Sequence, residues 1–339
     1  MNDDAVLLPT QRPLARHELD AVLAPLGRVA HDWLLSGGTF SAVQGVELDD
    51  GRTVAVKTSV PEAPGPGGRS RLLAYEHDML RAERDHLARV APLDAVPAPR
   101  VLLEDFTRGV ADVDILVMSL VPGMPWDTAA EVMTPEANSR ASFQVGEILA
   151  ALGSVRGERF GFPAAGFRLG GGSWAEFVSR LVSATIADAE AWGVDIEPER
   201  LAAAVEATRD SLATVTAPTL VHADLWHGNV LVDPQTGDVT GVVDFERSLF
   251  GDPLWGLAGG ETHASGPFEP AKVRGYESAT GRALVMDRAA VARTALYRLW
   301  SMAVQLIEIE PRGFSGDWLE GHRASIRANR ERLHAILGV

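Results

Sequence analysis

The chain contains no cysteine. This absence excludes disulfide bonds and thiolate chemistry, and it is typical of proteins in a reducing compartment. The sequence also lacks any apolar run of about 18 residues or more, so we expect no transmembrane helix. Its first residues, Met1–Asp4, include two acidic residues and lack the basic start and apolar core of a signal peptide. We therefore expect a cytoplasmic protein with no membrane partner.

Positive charge is scarce relative to negative charge. Lys and Arg number 31 against 46 Asp and Glu, which gives a net charge of −15. This balance disfavours nucleic acid and anionic membrane surfaces as partners. It is compatible with a cationic small molecule, although acidic residues also keep a protein soluble. The nine histidines form no H-x-x-x-H pair on a helix, so we expect no zinc site.

The length of 339 residues suits two domains, and a hydrophobic content of 46% is ordinary for a globular protein. From Gly123 onward, apolar residues recur at helical spacing. This spacing predicts a helix after Thr134-Pro135 and further helices over residues 174–192, 198–212, 289–309 and 318–337.

The segment Leu220–Asp252 carries the most specific pattern in the chain. It holds His222-Ala223-Asp224, then Asn229 five residues after that aspartate, and then Asp244. Phosphoryl transfer from a nucleotide needs one carboxylate to orient the attacking hydroxyl, and an amide with a second carboxylate to hold metal ions. We interpret Asp224 as the catalytic group, and Asn229 and Asp244 as metal ligands.

Two short apolar runs, Val230–Val232 and Gly241–Val243, flank a segment whose Pro and Gly predict a turn. If they pair as antiparallel strands, Asn229 lies opposite Asp244. Two oxygen donors at one end of a hairpin suit Mg²⁺, which keeps water and phosphate oxygens as its other ligands. The alternative is a plain surface hairpin with acidic residues at its ends.

This segment resembles the catalytic and metal-binding loops of the aminoglycoside phosphotransferase family, in which H-G-D-x-x-x-x-N precedes a strand pair, an aspartate and G-D-P. The last element is Gly251-Asp252-Pro253 here. Ala223 replaces the usual glycine, and Gly256 stands where many relatives have a further aspartate. The resemblance implies an α+β, protein-kinase-like fold with two lobes. One lobe has an antiparallel sheet and one main helix, and the larger lobe is mostly helical. His222 would then be structural.

The N-terminal part has the pattern expected of a nucleotide-binding lobe. A glycine-containing turn lies between two predicted strands, and glycines let backbone N–H groups approach a phosphate. The third strand, Thr53–Lys57, is an apolar run that ends in a lysine. A lysine at a strand end often only reaches solvent, but with the downstream acidic set we expect Lys57 to contact the phosphates. The residues expected to cradle the nucleotide with it are Ser36, Gly37, Gly38, Thr39, Phe40 and Ser41.

A lysine in this role needs a carboxylate partner. Glu76 and Glu83 lie seven residues apart on a run, residues 71–90, that we predict to be helical, so they share a face. Spacing measured from Lys57 favours Glu76, whereas spacing measured back from the segment Val96–Pro99 favours Glu83. We favour Glu83, because the Pro- and Gly-rich residues 61–68 resemble an inserted loop.

The apolar strand Asp114–Met118 runs into Ser119-Leu120-Val121-Pro122-Gly123. The resemblance implies that this segment joins the lobes and that main-chain groups near Met118, Ser119 and Val121 hold adenine. The implied boundaries are an N-terminal lobe over residues 1–118, a hinge over 119–123 and a C-terminal lobe over 124–339.

These features predict an ATP- and Mg²⁺-dependent kinase, with GTP as an alternative donor, that phosphorylates a hydroxyl of a small molecule. Only seven residues separate Asp244 from Asp252, which leaves no room for a long activation loop. The acceptor is expected to be an antibiotic, so that the enzyme confers resistance. The alternatives are a sugar-amine, choline or homoserine kinase and a nucleotide-binding pseudokinase, and the protein is expected to be a monomer or homodimer.

The acceptor is expected to lie between the helical inserts near residues 170–195, the segment after Pro253 and the closing helices. A cationic acceptor would pair with Glu261, Glu308 or Glu310. The residues expected to line its site are Trp226, Trp255, Glu261, Tyr297, Trp300 and Glu308.

Overall fold

The computed structural model describes residues 7–35, 38–62, 64–261 and 263–339. The protein has an α+β fold with two lobes. The N-terminal lobe contains a five-stranded antiparallel sheet with strand order β1-β2-β3-β5-β4. Its elements are α1 (Arg16–Leu23), β1 (Val29–Leu34), β2 (Ala42–Leu48), β3 (Thr53–Thr58), α2 (Met79–Val90), β4 (Val101–Asp105) and β5 (Ile115–Ser119).

The predicted strands form because they are rich in β-branched residues and are separated by turn residues. Gly51 closes the turn between β2 and β3 with a φ of 84°, a conformation that favours glycine. Gly45 on β2 has a different role. A Cβ atom there would lie 2.3 Å from the Trp33 ring, so the missing side chain lets this indole lie flat across the neighbouring strand.

The C-terminal lobe is mostly helical and carries two small sheets. One has the order β11-β10-β6 and the other β8-β7-β12-β9. Its strands are β6 (Met124–Pro125), β7 (Phe160–Gly161), β8 (Gly170–Gly171), β9 (Thr219–Val221), β10 (Val230–Val232), β11 (Val239–Val242) and β12 (Leu249–Gly251). Its helices are α3 (Trp126–Ala129), α4 (Pro135–Leu152), α5 (Ala164–Phe167), α6 (Trp174–Trp192), α7 (Pro198–Ala213), α8 (Pro253–Gly259), α9 (Pro270–Thr280), α10 (Arg288–Arg312) and α11 (Trp318–Leu337).

The long helices begin where the sequence provides capping residues. The side chains of Thr134, Ser173 and Asp287 accept hydrogen bonds from backbone N–H groups in the first turns of α4, α6 and α10. Helices α4 and α9 cross closely because Gly146 and Gly275 have no side chain at the crossing. A Cβ atom at either position would overlap the facing backbone. None of the described helices is long and apolar enough to span a membrane.

Two local predictions were wrong. The run over residues 71–90 is helical only from Met79, and Asp78 before it adopts a left-handed conformation with φ 54°. The hairpin register differs by one residue, because Val230 pairs with Val242. Asn229 therefore lies opposite Val243, whose N–H donates to the Asn229 carbonyl at 3.0 Å, and Asp244 follows immediately.

Asp188 on α6 links the lobes, since its carboxylate accepts a hydrogen bond from the Ala74 N–H at 2.8 Å. Burial raises the pKa of Asp188 to about 6. A carboxyl group whose pKa is higher in the folded state contributes full stability only below its unfolded pKa of about 4. That contribution is lost as the pH rises through about 6.

We therefore expect Asp188→Asn, which keeps an acceptor oxygen without a charge, to stabilise the protein at neutral pH. The free energy of unfolding should rise by about 1 to 2 kcal/mol above pH 7 and stay unchanged near pH 4. Urea unfolding at both pH values measures this. Glu190→Gln, at an exposed position on the same helix, serves as the control. An equal effect of Asp188→Asn at both pH values would show that ionisation is not its cause.

Candidate active site

Lys57 on β3 is buried where three acidic side chains converge. Its ammonium lies 2.7 Å from Glu83, 2.6 Å from Asp244 and 3.0 Å from Glu246. Burial alone would lower the pKa of Lys57, but these carboxylates hold it well above its ordinary value. Lys57 is therefore a fixed positive charge that joins the sheet, α2 and the loop after β11.

The partner of Lys57 on α2 is Glu83. Its second carboxylate oxygen accepts a hydrogen bond from the Phe245 N–H at 3.0 Å, so this one side chain touches both lobes. Glu76 does not contact Lys57. It precedes the helix and pairs with Arg312 and Arg247, which removes it as a partner for the lysine.

Asp244 is the most accessible of the three carboxylates, with 33% of its side chain exposed. It has a φ of 67°, which is unusual for a residue other than glycine and ends the hairpin sharply. Burial opposes its ionisation, but Lys57 and Arg247 hold the pKa of Asp244 below its ordinary value. Burial raises the pKa values of Glu83 and Glu246. Asp244 is thus the carboxylate best suited to carry a negative charge into the cleft.

The loop after β9 places the expected catalytic residues beside Asp244. The Asn229 side-chain N–H donates to the Asp224 carbonyl at 2.8 Å, which leaves the amide oxygen as the atom that can serve a cation. Burial raises the pKa of Asp224 to about 7, and the Arg247 guanidinium opposes that rise. Its carboxylate is therefore more basic than an ordinary aspartate.

His222 has a structural position. It is fully buried, its Nε2 lies 3.0 Å from the Val243 carbonyl, and its ring packs edge-on against Phe245. Burial lowers the pKa of His222 to about 4, so the ring is neutral near pH 7. It ties the loop after β9 to the end of β11.

The described residues 38–41 between β1 and β2 lie next to the same acidic cluster through Ser41. Ser36 and Gly37 lie outside the described residues. The Ser41 hydroxyl donates to Glu246 at 3.0 Å. Phe40 is buried beneath the Arg312 guanidinium, 4.5 Å from its ring centre. The Gly38 and Thr39 carbonyls accept hydrogen bonds from residues near the N-terminus.

The segment expected to hold adenine follows β5. Met118 is buried, and Ser119 exchanges hydrogen bonds with the backbone of Arg100 at 2.8 and 2.9 Å. Val121 packs against Gly241 on β11, where a Cβ atom would lie 2.5 Å from the valine side chain. These contacts fix the end of β5 and the segment that follows it.

Three aromatic residues expected to line the acceptor site lie in the core instead. Trp255 packs against both Tyr297 and Trp300, and the three residues are 1%, 1% and 6% exposed. Two of them also use their polar atoms within the protein: the Tyr297 hydroxyl donates to Asp252 and the Trp300 N–H donates to Thr185. The buried Trp255 N–H has no hydrogen-bond partner among the described residues. Trp226, by contrast, is 40% exposed and lies two residues after Asp224.

The carboxylates expected to bind a cationic acceptor already have partners. Glu261 pairs with Lys272 and Arg298. Glu308 pairs with Arg247 and lies 3.7 Å from Arg312. A cationic acceptor would have to displace these arginines and the lysine, so neither glutamate is a ready anionic subsite. Glu310 remains half-exposed, 3.9 Å from Arg323.

Sequence reasoning missed three residues at this site: Glu246, Arg247 and Arg312. Glu246 could have been found, because it lies two positions after Asp244. In the described part of the chain, the carboxylate oxygens of Glu83, Asp244 and Glu246 come within 4.8 Å of one another. The two arginines were missed because both pair with Glu76, which lies far away in the sequence.

Two lobes, a lysine–glutamate pair and an acidic loop beside a short hairpin define the class of kinase-like phosphotransferases. The chain belongs to the phosphotransferase enzyme family (APH), whose model matches residues 68–288, more than half of its length. The resemblance inferred from the motifs is thereby confirmed. A search of curated proteins finds no match.

Solved structures share the fold at low sequence identity. Aminoglycoside phosphotransferase APH(4)-Ia, solved as a thermostable mutant with AMP-PNP and hygromycin B, matches with a TM-score of 0.61 and 19% identity over 94% of this chain and 96% of its own. A candidate aminoglycoside phosphotransferase from Ralstonia eutropha matches with a TM-score of 0.65 and 14% identity, over 96% of this chain and 99% of its own. A candidate fructosamine-3-kinase from Thermobifida fusca matches with a TM-score of 0.62 and 19% identity, over 94% of this chain and 98% of its own.

Proposed function

We propose that this phosphotransferase moves the terminal phosphoryl group of ATP, with Mg²⁺, to a hydroxyl of a small molecule. The observation that carries the proposal is the convergence on buried Lys57 of Glu83 from α2 and Asp244 from the loop after β11. Family membership supports phosphoryl transfer, and the nucleotide in the APH(4)-Ia complex supports ATP as the donor. The lobe boundaries proposed above place the hinge at residues 119–123.

Each residue has a proposed role. Lys57, held by Glu83, neutralises phosphate oxygens, and the turn that includes Gly38–Ser41 covers them. Asp224 orients the acceptor hydroxyl and takes its proton as the new P–O bond forms. The pKa of about 7 makes this carboxylate a better proton acceptor than an ordinary aspartate. The backbone near Met118, Ser119 and Val121 holds the base.

The donor set around Asp244 fits Mg²⁺, which binds few protein oxygens and keeps phosphate and water ligands. Asp244 carries the lowered pKa, and the Asn229 amide is oriented with its oxygen free for a cation. Glu246 adds a carboxylate within reach. When bound, Mg²⁺ would neutralise phosphate charge, which Lys57 alone cannot balance.

The acceptor we favour is rich in hydroxyl groups and not polycationic. Glu261 and Glu308 are paired within the protein, whereas the exposed Trp226 beside Asp224 offers a surface for stacking a ring. Neutral sugars and nucleosides fit this description, and so do macrolide antibiotics despite their single amine. The proposal thus covers a resistance enzyme as well as a metabolic one.

The test is a panel of acceptors incubated with ATP and Mg²⁺, in which ADP release and the ³¹P NMR spectrum of the product are measured. We expect a phosphomonoester from a hydroxyl-rich, weakly charged acceptor, and little turnover with polycations such as kanamycin. Reactions without acceptor provide the control. Turnover with polycations alone would overturn this acceptor preference. It would instead favour the cationic acceptor considered from the net charge of the sequence.

A regulatory protein without turnover is the second candidate. The lysine, the glutamate, both aspartates and the asparagine are all present, which favours an enzyme. Tight binding of ATP with Mg²⁺, but no phosphorylated product from any acceptor class, would favour the regulatory candidate.

A further inference from the structure

The segment before α2 is held by the opposite lobe. We name residues 71–76 the lobe strap. The Arg71 side chain donates to the Pro311 carbonyl at 2.8 Å, and Arg312 donates to the Arg71 carbonyl at 3.1 Å. At Ala74, the N–H donates to Asp188 and the carbonyl accepts from Arg168, at 2.8 and 2.9 Å. The strap is therefore bonded to the residue after α5, to α6 and to the end of α10.

The strap ends in a buried ion-pair cluster. Glu76 pairs with Arg312 and lies 3.4 Å from Arg247, and both arginines also approach Glu308. Arg312 is only 1% exposed. The cluster contains two positive and two negative groups, so its charges balance without solvent. Removing one member would leave a buried charge without compensation.

The same cluster reaches the turn that includes Gly38–Ser41, which we name the nucleotide turn for its proposed role. The Arg312 guanidinium lies 4.5 Å from the Phe40 ring centre, and Arg247 lies 5.8 Å from both Phe40 and Tyr75. The Tyr75 hydroxyl donates to Glu308 at 3.5 Å, near the limit for a hydrogen bond. One set of side chains thus touches the strap, the nucleotide turn and α10.

Helix α2 has no side-chain cap at its N-terminus, where Asp78 is left-handed. The strap ends three residues before Met79, so the chain enters this helix from a segment that is bonded to the opposite lobe. Glu83 lies in the second turn of this helix and reaches Lys57 at 2.7 Å. A shift of the strap would therefore move the helix that carries Glu83.

We propose that the lobe strap and Arg312 form a positioning element that holds α2 and Glu83 against Lys57 before any nucleotide binds. This inference rests on the proposed function for the role of Lys57. The ion-pair cluster would take the place of an activation loop, for which the sequence has no room, and would keep the enzyme permanently assembled. Arg312 and Glu76 act through Glu83 and do not contact the reacting groups.

Hydrogen exchange of the nucleotide-free, full-length enzyme tests the first half of the proposal. We expect Arg312→Met to increase amide exchange in residues 79–90 by about tenfold, because local opening of α2 becomes easier. The matched control is Arg330→Met, since Arg330 is also buried but pairs with Glu197 at the start of α7 and not with the strap. Unchanged exchange of α2, or an equal increase with Arg330→Met, would overturn the proposal.

A double-mutant cycle tests the second half. We expect Arg312→Met to weaken binding of the ATP analogue AMP-PNP with Mg²⁺ about tenfold in the wild-type background, but to have little further effect once Glu83→Gln is present. A merely structural role would give additive losses, which would contradict the proposal. Arg312→Lys should restore most of the affinity.

If Arg312→Met fails to fold, Arg71→Ala replaces it in both experiments. It removes one strap hydrogen bond and leaves the cluster intact, so smaller changes of the same sign are expected, and their absence would contradict the proposal. If the exchange result is as expected but wild-type protein does not bind AMP-PNP, the positioning role of the strap is supported and the proposed function is contradicted.

Discussion

Replacing Asp224 by alanine is expected to lower kcat by about 10²- to 10⁴-fold, while AMP-PNP with Mg²⁺ still binds within a few-fold of wild type. In the proposed mechanism the carboxylate orients the acceptor hydroxyl and accepts its proton, and both functions would be lost with the side chain. Nucleotide binding persists because Lys57, Glu83 and Asp244 remain in place. Steady-state kinetics and a binding titration measure the two quantities separately.

Two further variants sharpen this test. Asp224→Asn keeps the size of the side chain but cannot accept a proton, so it should be almost as inactive as alanine. Asp210→Ala, at an exposed position on α7, should leave kcat unchanged. Near-normal turnover of Asp224→Ala would remove this residue from the mechanism. Loss of nucleotide binding as well would indicate a structural role.

The sequence predicted most elements of the fold because their signals are local. Helices α6 and α11 begin and end where the pattern placed them. The start of α2 was missed for a physical reason. The spacing around Leu72 and Leu73 resembles a helix, but the strap contacts with Arg312, 236 residues from Glu76, hold the chain in another conformation.

The acceptor residues were the least predictable part of the site. An aromatic residue on a helix can face the cleft or the core, and the sequence does not show which side is covered by later elements. Trp255 and Tyr297 stack with ring centres 4.6 Å apart inside the C-terminal lobe. Glu308 looked available because its arginine partners are contributed by a different loop and by the end of its own helix.

The other prediction with a large effect concerns Asp244. Asparagine is the best test substitution, since it tolerates the left-handed conformation that Asp244 adopts at φ 67° and has nearly the same shape. The change removes one negative charge from the set that would hold Mg²⁺, while Glu83 still pairs with Lys57.

We expect Asp244→Asn to lower kcat/KM by about 10²- to 10³-fold, because electrostatic stabilisation of the transferring phosphoryl group depends on a correctly held cation. The Mg²⁺ concentration for half-maximal rate should rise as well, and a magnesium titration at fixed ATP measures it. Asp238→Asn, in the turn of the same hairpin, removes a partly exposed ion pair with Arg140 and should change neither quantity. A variant at Asp244 with normal magnesium dependence but poor turnover would show that this carboxylate acts through Lys57 and does not hold the metal.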